Sequence, residues 1–196
     1  MAEQGYAKGR AKRAEIIERA AAALGESGYR GASLRDIAAR CGISHTGLLH
    51  YFRTKEALLI AVLEHRDQQD AERFFTPPVE GLEHLRRMVT LTAFNETQRG
   101  PVELFCVLSA EATAPEHPAH EYFVARYRDI VIRHRAAYDA LREQGVLREG
   151  VDPLSAAREL IAMSDGLQLQ WLLDPSAMQM APQLHAHIES KLTMPL

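Results

Sequence analysis

Long apolar runs are missing from this chain of 196 residues: nowhere do 18 consecutive apolar residues occur. The first twenty positions carry Lys8, Arg10, Lys12, Arg13, Glu15, Glu18 and Arg19, where a secretion signal needs an apolar stretch. No membrane partner is expected, and the expected location is cytoplasmic. Cysteine is scarce. Cys41 and Cys106 lie in apolar patterns without a CxxC or CxxxC spacing, which argues against a disulfide framework or a zinc finger and marks both as core residues. Twelve glycines and nine prolines, with no run of either, exclude a collagenous or low-complexity chain. Strand signals are nearly absent, since alternating apolar and polar residues never persist beyond a few positions. Sequences of the HExxH, GxSxG, Walker A and GxGxxG types are also missing. No cofactor is expected.

What is present is enough apolar material for a packed core, 46% of the chain, with 25% charged residues. The net charge of -3 conceals a division. Residues 1–55 hold 10 Lys and Arg against 5 Asp and Glu, a balance of +5, and residues 56–196 a balance of -8. A small basic module on an acidic body suits contact with a polyanion, although a tail of solvated charge would give the same count.

The chain reads as all-α. Ile16, Ile17, Ala20, Ala21 and Leu24 recur at spacings of three and four in a helix from Lys8 to about Ser27, and Gly28 follows as a stop signal. Ser33 then precedes Leu34, Ile37, Ala38 and Cys41, with Asp36 three positions on, an approximation to a capping box. Ser44 can cap a third helix through Phe52, and Thr54 a fourth, long one that ends before Pro77-Pro78. Further helices are predicted over about 79–96, 101–112, 119–144, 153–173 and 182–192. Asp152-Pro153 supplies an N-cap and a first-turn proline.

Between Leu34 and Phe52 two short helices are separated only by Gly42-Ile43-Ser44, too little chain for side-by-side packing, so they must cross steeply. Ala38 lets them approach, Gly42 can take a left-handed conformation, and Ile37, Cys41, Ile43 and Leu48 face a shared core. This is a helix-turn-helix, whose second helix enters the DNA major groove and offers its N-terminal residues to base edges. The exposed set is His45, Thr46, Gly47 and His50.

At this point the segment "SLRDIAARCGISHTGLLHYFRTKEALL", together with Gly28-Tyr29 before it, resembles the DNA-binding domain of TetR-family transcriptional regulators over residues 8–63. The resemblance implies an all-α homodimer. In it an N-terminal three-helix helix-turn-helix domain, residues 1–55, binds a palindromic operator in double-stranded DNA. A C-terminal helical domain, residues 56–196, binds a small-molecule effector and dimerises. The function implied is that of a ligand-responsive regulator, a repressor by family default and not an enzyme. Carried over by position, Ser33, Tyr51 and Lys55 would bind phosphate, and His45, Thr46, Gly47 and His50 would lie against bases. Leu49 stands where many members have tyrosine, and offers only packing or contact with a thymine methyl.

Stripes in the C-terminal part are rich in aromatic residues and methionine, which both fill cores and line small-molecule pockets. The candidate effector contacts are Met88, Phe105, Leu108, Phe123, Tyr127, His134, Met163 and Trp171. His134 is also readable as a satisfied core histidine, and Glu111 as an exposed residue at a helix end. "MSDGLQLQWLLDP", residues 163–175, resembles the penultimate helix of many such regulators and implies the dimer face, with Leu160, Leu167, Leu184 and Ile188 as candidates. The rival reading, a helical metal protein, rests on His117-x-x-His120-Glu121 and His185-x-His187; the first pair adjoins prolines and the second lies on different sides of a helix. A helical adaptor for protein partners leaves the basic module unexplained.

Overall fold

A computed structural model describes the backbone of residues 2–196 and the side chains from Gly9 onward; the Lys8 side chain lies outside the described residues. Among them the chain forms nine helices and no named strand: α1 (Ala2–Gly31), α2 (Leu34–Arg40), α3 (His45–Tyr51), α4 (Lys55–Phe74), α5 (Gly81–Asn95), α6 (Arg99–Glu111), α7 (His120–Glu143), α8 (Pro153–Leu173) and α9 (Met180–Glu189). The all-α expectation holds. No described helix is long and apolar enough to cross a membrane.

Local chemistry sets the helix ends. Ser33, Ser44, Thr54 and Asp152 each accept a hydrogen bond from the backbone N–H three residues on, at 2.8 to 3.1 Å, which satisfies one otherwise orphaned donor at the start of α2, α3, α4 and α8. At the end of α2, Ile43 N–H donates to Ala38 C=O and Gly42 N–H to Ala39 C=O, with Gly42 at φ +65°. That bond pair is a Schellman motif, and glycine reaches the left-handed conformation without a side-chain clash. The first helix breaks where the stop signal stands: Gly28 is non-helical (φ 67°, ψ 179°), and only a short further turn runs on to Gly31.

The chain forms two compact units. The first comprises residues up to Gln68 together with Glu103–Tyr122, and the second Gln69–Val102 with Phe123–Leu196. The chain passes from one to the other within α4, α6 and α7.

In the first unit, α2 packs against both α1 and α3. Its core collects Ile16, Ile17, Ala20 and Leu24 from α1, Ile37 and Ala38 from α2, Leu48 from α3, and Leu58, Leu59, Val62 and Leu63 from α4, all buried. Cys41 and Phe52 are buried at the ends of the two short helices, and the Arg13 guanidinium lies 4.8 Å from the centre of the Phe52 ring. Lys12 donates to Cys41 C=O at 3.0 Å, a cation placed at the C-terminal end of α2.

In the second unit, α9 packs against α5 and α8. Leu160, Leu167, Leu184 and Ile188 are all buried there within one protomer. Their apolar surface is already removed from water by the chain's own fold, so it is not available to a partner subunit. Other residues of these helices stay outside. On α8 they include Ala162, Leu169 and Leu173, with half-exposed Gly166 between them; Leu169 is 55% and Leu173 80% exposed. The tail is fastened by an antiparallel bridge between Leu147 and Leu192, with Thr193 N–H donating to Val146 C=O at 2.9 Å.

Candidate nucleic-acid interface

The helix-turn-helix presents one end of α3 outward. Leu48 is wholly buried and anchors the helix, while Ser44, His45, Thr46 and His50 are exposed and Gly47 and Leu49 half-buried. The helical period explains the division: with Leu48 inward, Thr46 and His50, two positions away on either side, turn to the opposite face, and His45 is the helix's first residue. Gly47 is held by its amide, which donates to Ser44 Oγ at 3.0 Å, and a Cβ on it would lie 3.2 Å from that oxygen. A side chain there would press on the cap oxygen, and glycine leaves the backbone uncovered. Tyr51 is half-buried, its ring edge-on to His50 with centroids 5.7 Å apart.

At the start of α2 the Ser33 hydroxyl is committed within the chain. It accepts from Asp36 N–H and donates to the Asp36 carboxylate at 2.5 Å. An anion here would have the first-turn amides of α2 as its donors.

The third surface element is the start of α4. The Lys55 ammonium lies 4.4 Å from the centre of the Tyr29 ring, a cation–π contact, and the Tyr29 hydroxyl donates to Glu56 Oε1 at 2.6 Å. That bond holds the Glu56 carboxyl below the usual range, while burial first and Glu56 second push the Tyr29 hydroxyl up. Tyr29 N–H donates to Glu111 Oε2 at 2.8 Å, and the Tyr29 ring meets His117 edge-on at 5.1 Å. In the sequence Tyr29 stands out only as half of a Gly-Tyr pair. Glu111 looks free at a helix end, and only folding reveals its partner 82 positions away.

These exposed residues stand on a core drawn from α1 to α4, and comparison with known proteins decides what it belongs to. Residues 16–62 match the family described as bacterial regulatory proteins, tetR family, and residues 81–193 match the C-terminal domain of BetI-type transcriptional repressors. The chain belongs to the TetR family. It is 28% identical over 168 residues to the HTH-type transcriptional regulator PksA of Bacillus subtilis, covering 84% of this chain and 80% of that protein. Among solved structures, a SmeT–triclosan complex matches with a TM-score of 0.78 at 24% identity, covering 93% of this chain and 92% of that one. A TetR-family regulator from Agrobacterium tumefaciens reaches 0.80 at 18% identity, covering 94% and 100%. At those identities the two structures share the fold.

In this TetR-family regulator the candidate effector contacts divide between the units. Phe105 and Leu108 are buried in the first; Met88, Phe123, Tyr127, His134, Met163 and Trp171 belong to the second. His134 is bonded to a residue that the sequence does not single out, His84, with Nε2 of His84 2.9 Å from Nδ1 of His134. One nitrogen donates and the other accepts, so both rings can be neutral. Burial holds both well below the ordinary histidine range. A signal is present, since His84 shares a helix face with Met88 four positions on. The Tyr127 hydroxyl donates to Asp165 at 2.8 Å, and burial raises the Asp165 carboxyl above its ordinary value. The Tyr138 hydroxyl is buried with no hydrogen-bond partner among the described residues.

Of the four histidines that prompt a metal reading, His117 and His120 are used by the backbone. His117 Nδ1 accepts from Ala119 N–H at 3.2 Å, and His120 Nδ1 lies 2.9 Å from Ala112 C=O, to which it donates. Among the described residues no group of three or more His, Cys, Asp or Glu side chains is placed to hold a metal ion.

Proposed function

We propose that this TetR-family regulator is a repressor that binds a palindromic operator as a homodimer and is released by a small molecule. The observation that carries the reading is the outward set on α3, His45, Thr46 and His50 around buried Leu48. In this reading Thr46 and the two histidines address bases, Gly47 allows close approach, Leu49 meets a thymine methyl, and Ser33, Tyr51 and Lys55 address phosphates. Residues 1–55 serve as the DNA-binding domain and 56–196 as the effector and dimerisation domain.

A homodimer is supported by the outer face of α8. Ala162, Gly166, Leu169 and Leu173 are spaced by four, three and four, a continuous stripe along one side of a helix. A Cβ on Gly166 would meet nothing within 4 Å in the protomer, so the bare backbone there is open to a second helix. Two-fold pairing would set two copies of α3 roughly 34–36 Å apart, or a multiple, matching successive major grooves.

The neighbour solved with triclosan supports a small-molecule effector as the releasing signal. The second unit's Met88, Phe123, Tyr127, His134, Met163 and Trp171 are its proposed contacts. For release, the effector must favour one of two states, since equal affinity for both shifts nothing. Selection of bound sequences from a random duplex pool tests domain, dimer and geometry together. A palindrome is expected; recovery of no enriched sequence, with no salt-dependent binding, would refute the reading.

A further inference from the structure

We propose that Tyr29 is a positioning residue for DNA binding: it holds the Lys55 ammonium at the start of α4, and Glu111 at the end of α6 holds Tyr29. The inference rests on the reading of Lys55 as a phosphate contact. All the groups belong to the first unit.

Lysine carries its charge on a flexible four-carbon stem, and fixing that stem on binding costs rotamer freedom. A ring already under the ammonium removes part of that cost before DNA arrives. At 4.4 Å from the Tyr29 ring centre the ammonium is held, and half-exposed Lys55 still presents it to an outside anion. The ring is itself fixed through the hydroxyl bond to Glu56, the backbone bond to Glu111 and the His117 edge.

Glu111 reaches the backbone only because residue 28 has no side chain. A Cβ at Gly28 would collide with Glu111 Oε1. The carboxylate also faces a second donor. His117 Nδ1 accepts from Ala119, so the neutral ring carries its proton on Nε2, which is buried, lacks a hydrogen-bond partner and lies 3.7 Å from Glu111 Oε2. Glu111 thus stands between a donor it uses, Tyr29 N–H, and one it does not. A small shift at the end of α6 would exchange them and release Tyr29, and with it the order of Lys55.

The test is a double-mutant cycle on the full-length protein, read by anisotropy on the selected duplex and on a scrambled one across a salt series. Lys55→Ala is expected to lower the salt slope by about 0.9 for each phosphate lost. Glu111→Ala is expected to weaken binding about fivefold in the wild-type background and to have no further effect in Lys55→Ala. Glu111→Gln, whose amide oxygen can still accept from Tyr29 N–H, should restore most of the affinity. Equal losses from Glu111→Ala in both backgrounds, or no loss at all, overturn the proposal. An unchanged salt slope in Lys55→Ala overturns both it and the phosphate reading beneath it, whereas a reduced slope with additive losses overturns the relay alone. Should melting show that Glu111→Ala does not fold, the cycle between Tyr29→Leu and Lys55→Ala reads the same coupling: non-additive losses support the proposal and additive ones overturn it.

Discussion

At Gly28 the backbone sits at φ 67°, ψ 179°, a region open in practice only to glycine, with a carboxylate pressed against the place a side chain would occupy. Gly28→Ala is expected to cost about 1–3 kcal/mol from the backbone alone, and denaturant titration should show a lower midpoint at unchanged slope. Thr46 belongs to a different kind of site. Thr46→Ala should alter preference among bases at one operator position while leaving the salt slope unchanged, which binding to a panel of single-base variants would reveal. The His84–His134 pair makes stability depend on pH. Both rings titrate below the ordinary value of 6.5 in the folded protein, so as pH falls below 6.5 the unfolded chain takes up protons that the folded one refuses. Stability from this pair is fully present above 6.5 and is lost as pH drops toward the depressed folded values, by up to about 1.4 kcal/mol per pH unit for each ring. Melting between about pH 7 and pH 5 should show that loss, and His84→Phe with His134→Leu should flatten it.

Among the elements, the ends were more legible than the interiors. Ser33, Ser44, Thr54 and Asp152 are each identifiable as caps from their neighbours alone, and each makes the expected bond, because capping involves residues only three apart. Asp152→Ala should remove the bond to Ser155 N–H and destabilise the start of α8, seen as a small fall in melting temperature. Gly28 is a stop signal of the same local kind: it breaks the first helix, and what the sequence does not show is the short further turn to Gly31. The α8 and α9 leucines are harder to read. Periodicity identifies an apolar face but not its partner, and the face holding Leu160, Leu167, Leu184 and Ile188 is satisfied within the protomer.

For the whole molecule, the paired question is assembly and response. Leu169→Glu with Leu173→Glu adds charge to two exposed positions of the α8 stripe without touching the core. If that stripe is the two-fold contact, sedimentation should report monomers, and affinity for a palindrome should fall much further than affinity for a half-site. A variant that stays dimeric would place the contact elsewhere. The sequence by itself determined the helical class, the short helix-turn-helix, its caps and its outward residues, because periodicity, capping and charge act over a few positions. Only the tertiary structure decided that Glu111 meets Tyr29, that His134 meets His84, and which α8 leucines remain outside. Such pairings join residues tens of positions apart, and nothing local in either partner encodes the other.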